Sequence, residues 1–162
     1  MKDVRPTSGR VLSALFNILG GKVEGAKFLD LFAGTGRVGL EALRRGAASC
    51  VFVESVKARA EDLRKSAGDS VVLSLEVRRA VSWLIKRGMT FDVIFADPPY
   101  NAGWCEALPA LLNLRELFAP DAVMVIEHSV REPLTLPENP CGFEIESARE
   151  YGESVLTFLT IA

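Results

Sequence analysis

Apolar positions along the chain recur first with a helical period and then in short runs that alternate with amphipathic stretches. Val11, Leu12, Leu15, Phe16, Ile18 and Leu19 fall on one helical face. Thr7 or Ser8 can cap this helix, predicted over about 8–20, and Gly20-Gly21 ends it. Strands are predicted at 28–32, 51–53, 71–75, 91–96 and 122–127. Between them lie helices at 38–45, 58–67, 80–87 and 104–118, the first closed by Gly46 and the third by Gly88. Near-continuous apolar strands alternating with helices imply an α/β, Rossmann-like fold, a mostly parallel sheet covered on both faces. The tail departs from this rhythm. Runs 143–149 and 154–161 are joined through Tyr151-Gly152-Glu153, too few residues for a crossover helix, so an antiparallel C-terminal hairpin is expected at one sheet edge. With no repeat, low-complexity tract or linker, residues 1–162 read as a single domain.

In open sheets of this kind ligands sit beyond the carboxyl ends of the strands. Three acids stand at such ends: Asp30, Glu54 and Asp97. The run into Asp97-Pro98-Pro99-Tyr100 is the most unusual. The prolines fix their own φ angles, bias the residue before each toward extended geometry and carry no N–H. The product is a stiff finger with a carboxylate, bare carbonyls and a flat ring. Such a finger suits a planar amino group, whose hydrogens Asp97 and the Pro98 carbonyl would accept while Tyr100 stacks on the ring behind it. That chemistry is methylation of an amino group on a nucleic-acid base, with Asp97, Pro98, Pro99 and Tyr100 as the catalytic candidates. A base inside a duplex cannot reach the finger, so the target must be unpaired or flipped out.

The first strand runs into Asp30-Leu-Phe32-Ala33-Gly34-Thr35-Gly36-Arg-Val-Gly39. Gly34, Gly36 and Gly39 spell the dinucleotide pattern G-x-G-x-x-G. Asp30, four residues before the first glycine, would crowd a pyrophosphate but suits a cationic amino-acid moiety. Glu54 at the end of the second strand is placed to take both ribose hydroxyls. S-adenosylmethionine, with its sulfonium and ammonium, fits this layout better than a nicotinamide dinucleotide. Helix capping is the rival role for Asp30.

Composition narrows the setting. The 162 residues are 49% hydrophobic and 25% charged, as in a globular chain. No apolar run nears the ~20 residues of a bilayer span, and residues 1–10 lack a signal-peptide apolar region. Cys50, Cys105 and Cys141 lie apart, without metal spacing, which points to a reducing, cytoplasmic compartment and no metal. A net charge of −2 excludes a uniformly basic nucleic-acid binder, so any positive footprint is local. Lys2, Arg5 and Arg10, facing only Asp3, are the candidates. His128, the only histidine, has no triad partner at suitable spacing and reads as structural. Trp104 reads as helix-start packing, with cover for the site as the alternative, Trp83 as core or partial cover, and Tyr151-Gly152 as the hairpin turn.

Taken together these motifs resemble the bacterial small-subunit (16S) rRNA guanine-N2 methyltransferases, class I enzymes dependent on S-adenosylmethionine. The likeness runs through Arg5-Pro-Thr7 with Arg10-Val11 and Leu15-Phe16-Asn17, then Leu29 to Gly36 with Gly39-Leu-Glu-Ala-Leu. Phe52-Val-Glu54, Phe91-Asp92 through Tyr100, Glu127 and Tyr151-Gly152 complete it. The resemblance implies the seven-stranded methyltransferase fold and methylation of one guanine in an assembling small ribosomal subunit, with S-adenosylhomocysteine as product. It implies that Arg5, Thr7 and Arg10 lie near the substrate path, and a monomer is expected. The implied cofactor site is Asp30, Phe32, Ala33, Gly34, Thr35, Gly36, Glu54, Ser55, Arg79 and Ala80, with Asp97 adjoining.

Three departures stand out. Family members carry a basic hairpin before the Arg-Pro-Thr segment, whereas this chain starts almost on that segment. The family's Arg-Glu pair in the first helix is Leu12-Ser13 here. The Gly-Asp-Ala expected after the third strand is Arg78-Arg79-Ala80, and arginine offers donors only where an adenine amino group needs an acceptor; Glu76 is the possible substitute. An adenine-N6 methyltransferase of DNA or RNA, and a non-catalytic docking module that has lost full cofactor binding, remain as competing readings.

Overall fold

A computed structural model describes residues 8–111, 113–137 and 142–161, so Arg5, Thr7 and Cys141 lie outside the described residues. Seven strands form one sheet: β1 Lys27–Leu31, β2 Ser49–Val53, β3 Val71–Leu73, β4 Phe91–Ala96, β5 Phe118–Ser129, β6 Phe143–Tyr151 and β7 Ser154–Ile161. Their order is β3-β2-β1-β4-β5-β7-β6. The first five are parallel, and β7 runs antiparallel to both β5 and β6. The expected fold class is therefore found, hairpin included, its turn closing over Gly152 at φ 63°.

Successive strand residues point to opposite faces, and each face has its own core. On one face α1 (Gly9–Leu19), α2 (Arg37–Arg44) and α3 (Lys57–Ser66) pack Leu15, Phe16, Val38 and Leu63 against Phe28, Phe52, Phe95 and Val125. On the other, α4 (Val77–Lys86) packs Val77, Val81 and Leu84 against Leu29, Leu31, Ile94 and Met124. The site inherits this alternation. Asp30, Glu54, Asp97 and Glu127 each stand two residues beyond a residue of the first core, namely Phe28, Phe52, Phe95 and Val125. Four acids thus share the α1 face at the carboxyl edge.

Capping explains where two helices begin. Ser8 accepts the Val11 N–H at 3.2 Å and starts α1. Glu76 accepts the Arg78 N–H at 2.8 Å and starts α4 three residues before the predicted position. The expected helix over 104–118 is corrected: among the described residues of this range only α5, Trp104–Ala107, and a 3₁₀ turn, Leu114–Leu117, are helical. Pro109 removes a donor and its ring opposes the carbonyl of Cys105, while Asn113 adopts φ 68°, both incompatible with a continued α-helix. Strand β5 is longer than expected, reaching back through Asp121 at φ 62° across a register shift opposite Phe91 and Val93. Among the described residues no helix is long and apolar enough to cross a membrane.

Candidate active site

The loop after β1 is tied down by backbone donors that converge on acids. Ala33 N–H reaches Val53 O at 2.8 Å, and Gly36 N–H reaches Ala33 O at 2.8 Å. Phe32 leaves the strand at φ 58°, a left-handed geometry that a bulky side chain adopts only where its surroundings enforce it. Gly34 and Gly36 turn the chain at φ 58° and 79°. A Cβ on Gly36 would strike Leu63, and one on Gly39 would strike Phe52 and Cys50. Gly36 therefore serves the close approach of α3 to the start of α2, and Gly39 the packing of α2 on β2.

Glu54 is buried at 5% exposure, and its two oxygens accept Gly34 N–H and Val56 N–H, each at 2.9 Å. Arg59 stands 3.8 Å away. The carboxylate thus pins the loop after β1 to the loop after β2 and keeps further lone pairs beyond these two bonds. Asp30, 2% exposed, accepts the Gly39 N–H at 3.0 Å, so the capping role is realised by one oxygen. Burial pushes its pKa up to about 8, the Gly39 N–H opposes that rise, and Glu54 adds to it.

At the neighbouring strand end Asp97 is also held well above the usual carboxylate range. Burial is the main cause, followed by the charges of Glu127 and Asp30. The pairing of Ala96 with Ile126 brings Asp97 beside Glu127 on adjacent parallel strands. Pro98 is buried, while Pro99 and Tyr100 are exposed, Tyr100 at 41%. The finger thus presents its ring outward and its acid inward.

The remaining candidates divide. Thr35 and Ser55 are exposed beside the glycine turn and Glu54. Ala80 is fully buried and its N–H is spent on Glu76 O at 2.9 Å within α4, which leaves that backbone donor unavailable to an adenine. Arg79 is exposed on the same helix. Glu76 itself caps α4 and pairs with Arg78 at 3.1 Å. Arg10 is exposed on α1, its guanidinium 5.8 Å from the centre of the Tyr151 ring at the hairpin end.

Sequence reasoning named Arg78 and Glu127 but gave neither a place in the site. Arg78 lies 4.5 Å over the Trp104 ring, and Trp104 meets Phe32 edge-on at 5.0 Å and 72°. This stack joins the cofactor loop, the start of α4 and the helix after the finger, so Trp104 does more than start a helix. Glu127 is the other: a charged residue closing an apolar strand was the available signal. Two open grooves of about 340 Å³ lie instead near the amino ends of β1 and β4, one lined by Phe16, Gly20 and Arg45, the other by Lys22, Asp92 and Asp121. They hold none of these acids.

The donor set fits S-adenosylmethionine. Carboxylates gathered at one edge raise one another's proton affinity, and a sulfonium with an ammonium group relieves that repulsion, whereas a pyrophosphate would worsen it.

Residues 1–160 match the family model described as Conserved hypothetical protein 95. The chain belongs to this family. It is 36% identical over 142 residues to Ribosomal RNA small subunit methyltransferase D of Escherichia coli K12, covering 84% of this chain and 70% of that protein. Against the Haemophilus influenzae protein of the same name it is 34% identical over 145 residues, covering 85% and 75%. A solved structure of a hypothetical protein from Thermus thermophilus superposes with a TM-score of 0.78 at 31% identity, covering 95% of this chain and 86% of that one. Membership of the Conserved hypothetical protein 95 family agrees with the resemblance carried by the glycine turn and the Asp97 finger.

Proposed function

We propose that this protein transfers a methyl group from S-adenosylmethionine to the exocyclic N2 of a guanine in small-subunit (16S) rRNA, within an assembling subunit. The observation that carries the proposal is the juxtaposition of the Asp97-Pro-Pro-Tyr100 finger with the acid-lined loop after β1, on neighbouring strands β4 and β1. Kinship with small-subunit rRNA methyltransferases supports the choice of RNA.

S-adenosylmethionine supplies an electrophilic methyl group that carries its own leaving group. Asp30, Glu54 and the turn through Gly34 would hold it, with Glu54 toward the ribose and the Asp30 side toward the cationic end. Phe32 and the Trp104–Arg78 stack close one flank. The chain's own contribution to chemistry lies in orientation. Asp97 and the Pro98 carbonyl accept the two N2 hydrogens, turning the nitrogen lone pair toward the methyl carbon, and Tyr100 stacks on the purine. With the donor's S–C bond exchanged for the N2–C bond and S-adenosylhomocysteine released, the Asp97 carboxylate would take the one proton that the methylated nitrogen sheds. The raised proton affinity of Asp97 suits that task. Arg10, and the Arg5-Pro-Thr7 segment before it, would meet RNA on the α1 face.

The test feeds methyl-labelled S-adenosylmethionine and immature small subunits to the protein, then digests the RNA to nucleosides. Label in N2-methylguanosine is expected. Label in N6-methyladenosine would select the adenine reading, and absence of both transfer and cofactor binding would select the docking module.

A further inference from the structure

The finger has a mechanical problem that its sequence creates. Pro98 and Pro99 carry no N–H, so neither can be fastened through a backbone donor. A hold on the chain just past the prolines therefore bears directly on where the finger stands. The amide of Asn101, two residues past the second proline and itself at φ 57°, donates to Glu132 Oε1 at 2.6 Å across 31 residues of sequence.

Glu132 sits on a turn that is held from three sides. Its own N–H donates to Ser129 O at 3.0 Å, and Val130 N–H donates to Glu153 O at 2.9 Å. Arg131 pairs with Glu153 at 3.0 Å, fastening the turn to the hairpin tip. Beneath it His128, 5% exposed, places Nδ1 at 2.9 Å from Glu132 O and 3.1 Å from Ser129 O. Two carbonyls facing one nitrogen require that Nδ1 carry a proton, and Nε2 bonds the Thr157 hydroxyl at 2.7 Å on β7. The same segment reaches the far side of the finger, where Thr135 N–H donates to Cys105 O at 3.1 Å on α5. The stretch from Asn101 to Cys105 is therefore bound at both ends to one turn anchored on β5 and β7.

We propose that Glu132 is a positioning residue for methyl transfer: its carboxylate, carried on a turn clamped by His128, Thr157 and Glu153, grips the Asn101 amide and so sets where Asp97 and Tyr100 stand. This rests on the reading of residues 97–100 as the catalytic loop. It accounts for how the chain just past the two prolines is held while the exposed tip reaches outward. It also gives the only histidine a purpose that requires neither metal nor proton transfer.

The test compares Glu132→Ala, Glu132→Gln and Asp97→Ala with the wild-type protein in labelled methyl transfer to immature small subunits, with S-adenosylmethionine affinity measured by calorimetry. Glu132→Ala is expected to lower kcat by about tenfold to a hundredfold, the scale of a small misplacement of reacting groups, with cofactor affinity unchanged. Glu132→Gln keeps an acceptor oxygen and is expected to recover most of the loss. Equal kcat in Glu132→Ala and wild type, with Asp97→Ala inactive, would overturn the positioning role alone. Full activity in Asp97→Ala would overturn the reading of the loop on which it rests. A parallel loss in both Glu132 variants would show that the contact is not the acceptor bond proposed. Amide hydrogen exchange on the unmodified protein adds a readout independent of variant folding: the Asn101 amide is expected to be protected, and exchange at the rate of a free loop amide would contradict the clamp.

Discussion

At the cofactor loop, backbone donors converge on carboxylates: Gly39 on Asp30, Gly34 and Val56 on Glu54. At the catalytic loop the supply of donors is interrupted by two prolines, and the described hold comes from outside, through Glu132 on Asn101. The first region is fixed by bonds between segments adjacent in the sheet. The second gains from its own stiffness and from grips by a distant segment, Glu132 on the Asn101 amide and the Thr135 amide on Cys105. Each design suits its task. A loop that would hold a cationic cofactor gains from carboxylates whose charge the cofactor favours, whereas a finger that would offer acceptors to an amino group gains from two prolines that carry no N–H. The contrast predicts that damage to the two regions separates into binding and turnover.

The largest effect is expected at the finger. Asp97→Ala should lower turnover by orders of magnitude and leave the heat of S-adenosylmethionine binding nearly intact. Unchanged turnover would remove Asp97 from the chemistry. Glu54→Ala should do the reverse, weakening cofactor binding by about 1.5–3 kcal/mol through lost charged hydrogen bonds. Equal affinity in the two proteins would show that Glu54 serves only the loops it pins.

A subtler separation is expected at Asp30. Its pKa is raised in the fold to about 8, so the native state holds a proton that the unfolded chain has already lost. Stability contributed by this site is therefore lost as pH rises from the ordinary carboxylate range toward 8. Asp30→Asn keeps an acceptor for Gly39 without the charge. It should be more stable than the wild type by about 1–3 kcal/mol near pH 8, with the gap narrowing toward pH 4, while binding the cofactor less well. Thermal melts at both pH values check this, and a variant less stable at pH 8 would contradict it. The smallest effect is a pH profile. Because Asp97 is held above the usual range, kcat/KM should fall as pH drops and Asp97 gains a proton. A profile flat on the acid side would mean that its ionised form is not required.

The uneven legibility of the chain follows from the same contrast. The five parallel strands were readable because strands buried on both faces are near-continuous apolar runs, and the acids at their ends stood out against that background. The positions of Asp30, Glu54 and Asp97 at the strand ends could therefore be read from sequence alone, and so could the bond by which Asp30 caps α2. The segment after the finger was not readable in the same way. Its helical spacing of apolar residues over 104–118 concealed the break at Pro109, where a missing donor and a ring clash outweigh periodicity. Glu132 left no local mark, because its meaning depends on an amide 31 residues away. Arg78 likewise looked like a damaged cofactor motif until its place over Trp104 was seen.

The most direct measurement is a crystal structure of the protein with S-adenosylhomocysteine. The account predicts density between the loop of Asp30 to Gly36 and the Asp97 finger, with the ribose against Glu54 and the sulfur turned toward Asp97. Density in either groove at the amino ends of the strands, or a sulfur directed away from the finger, would contradict it.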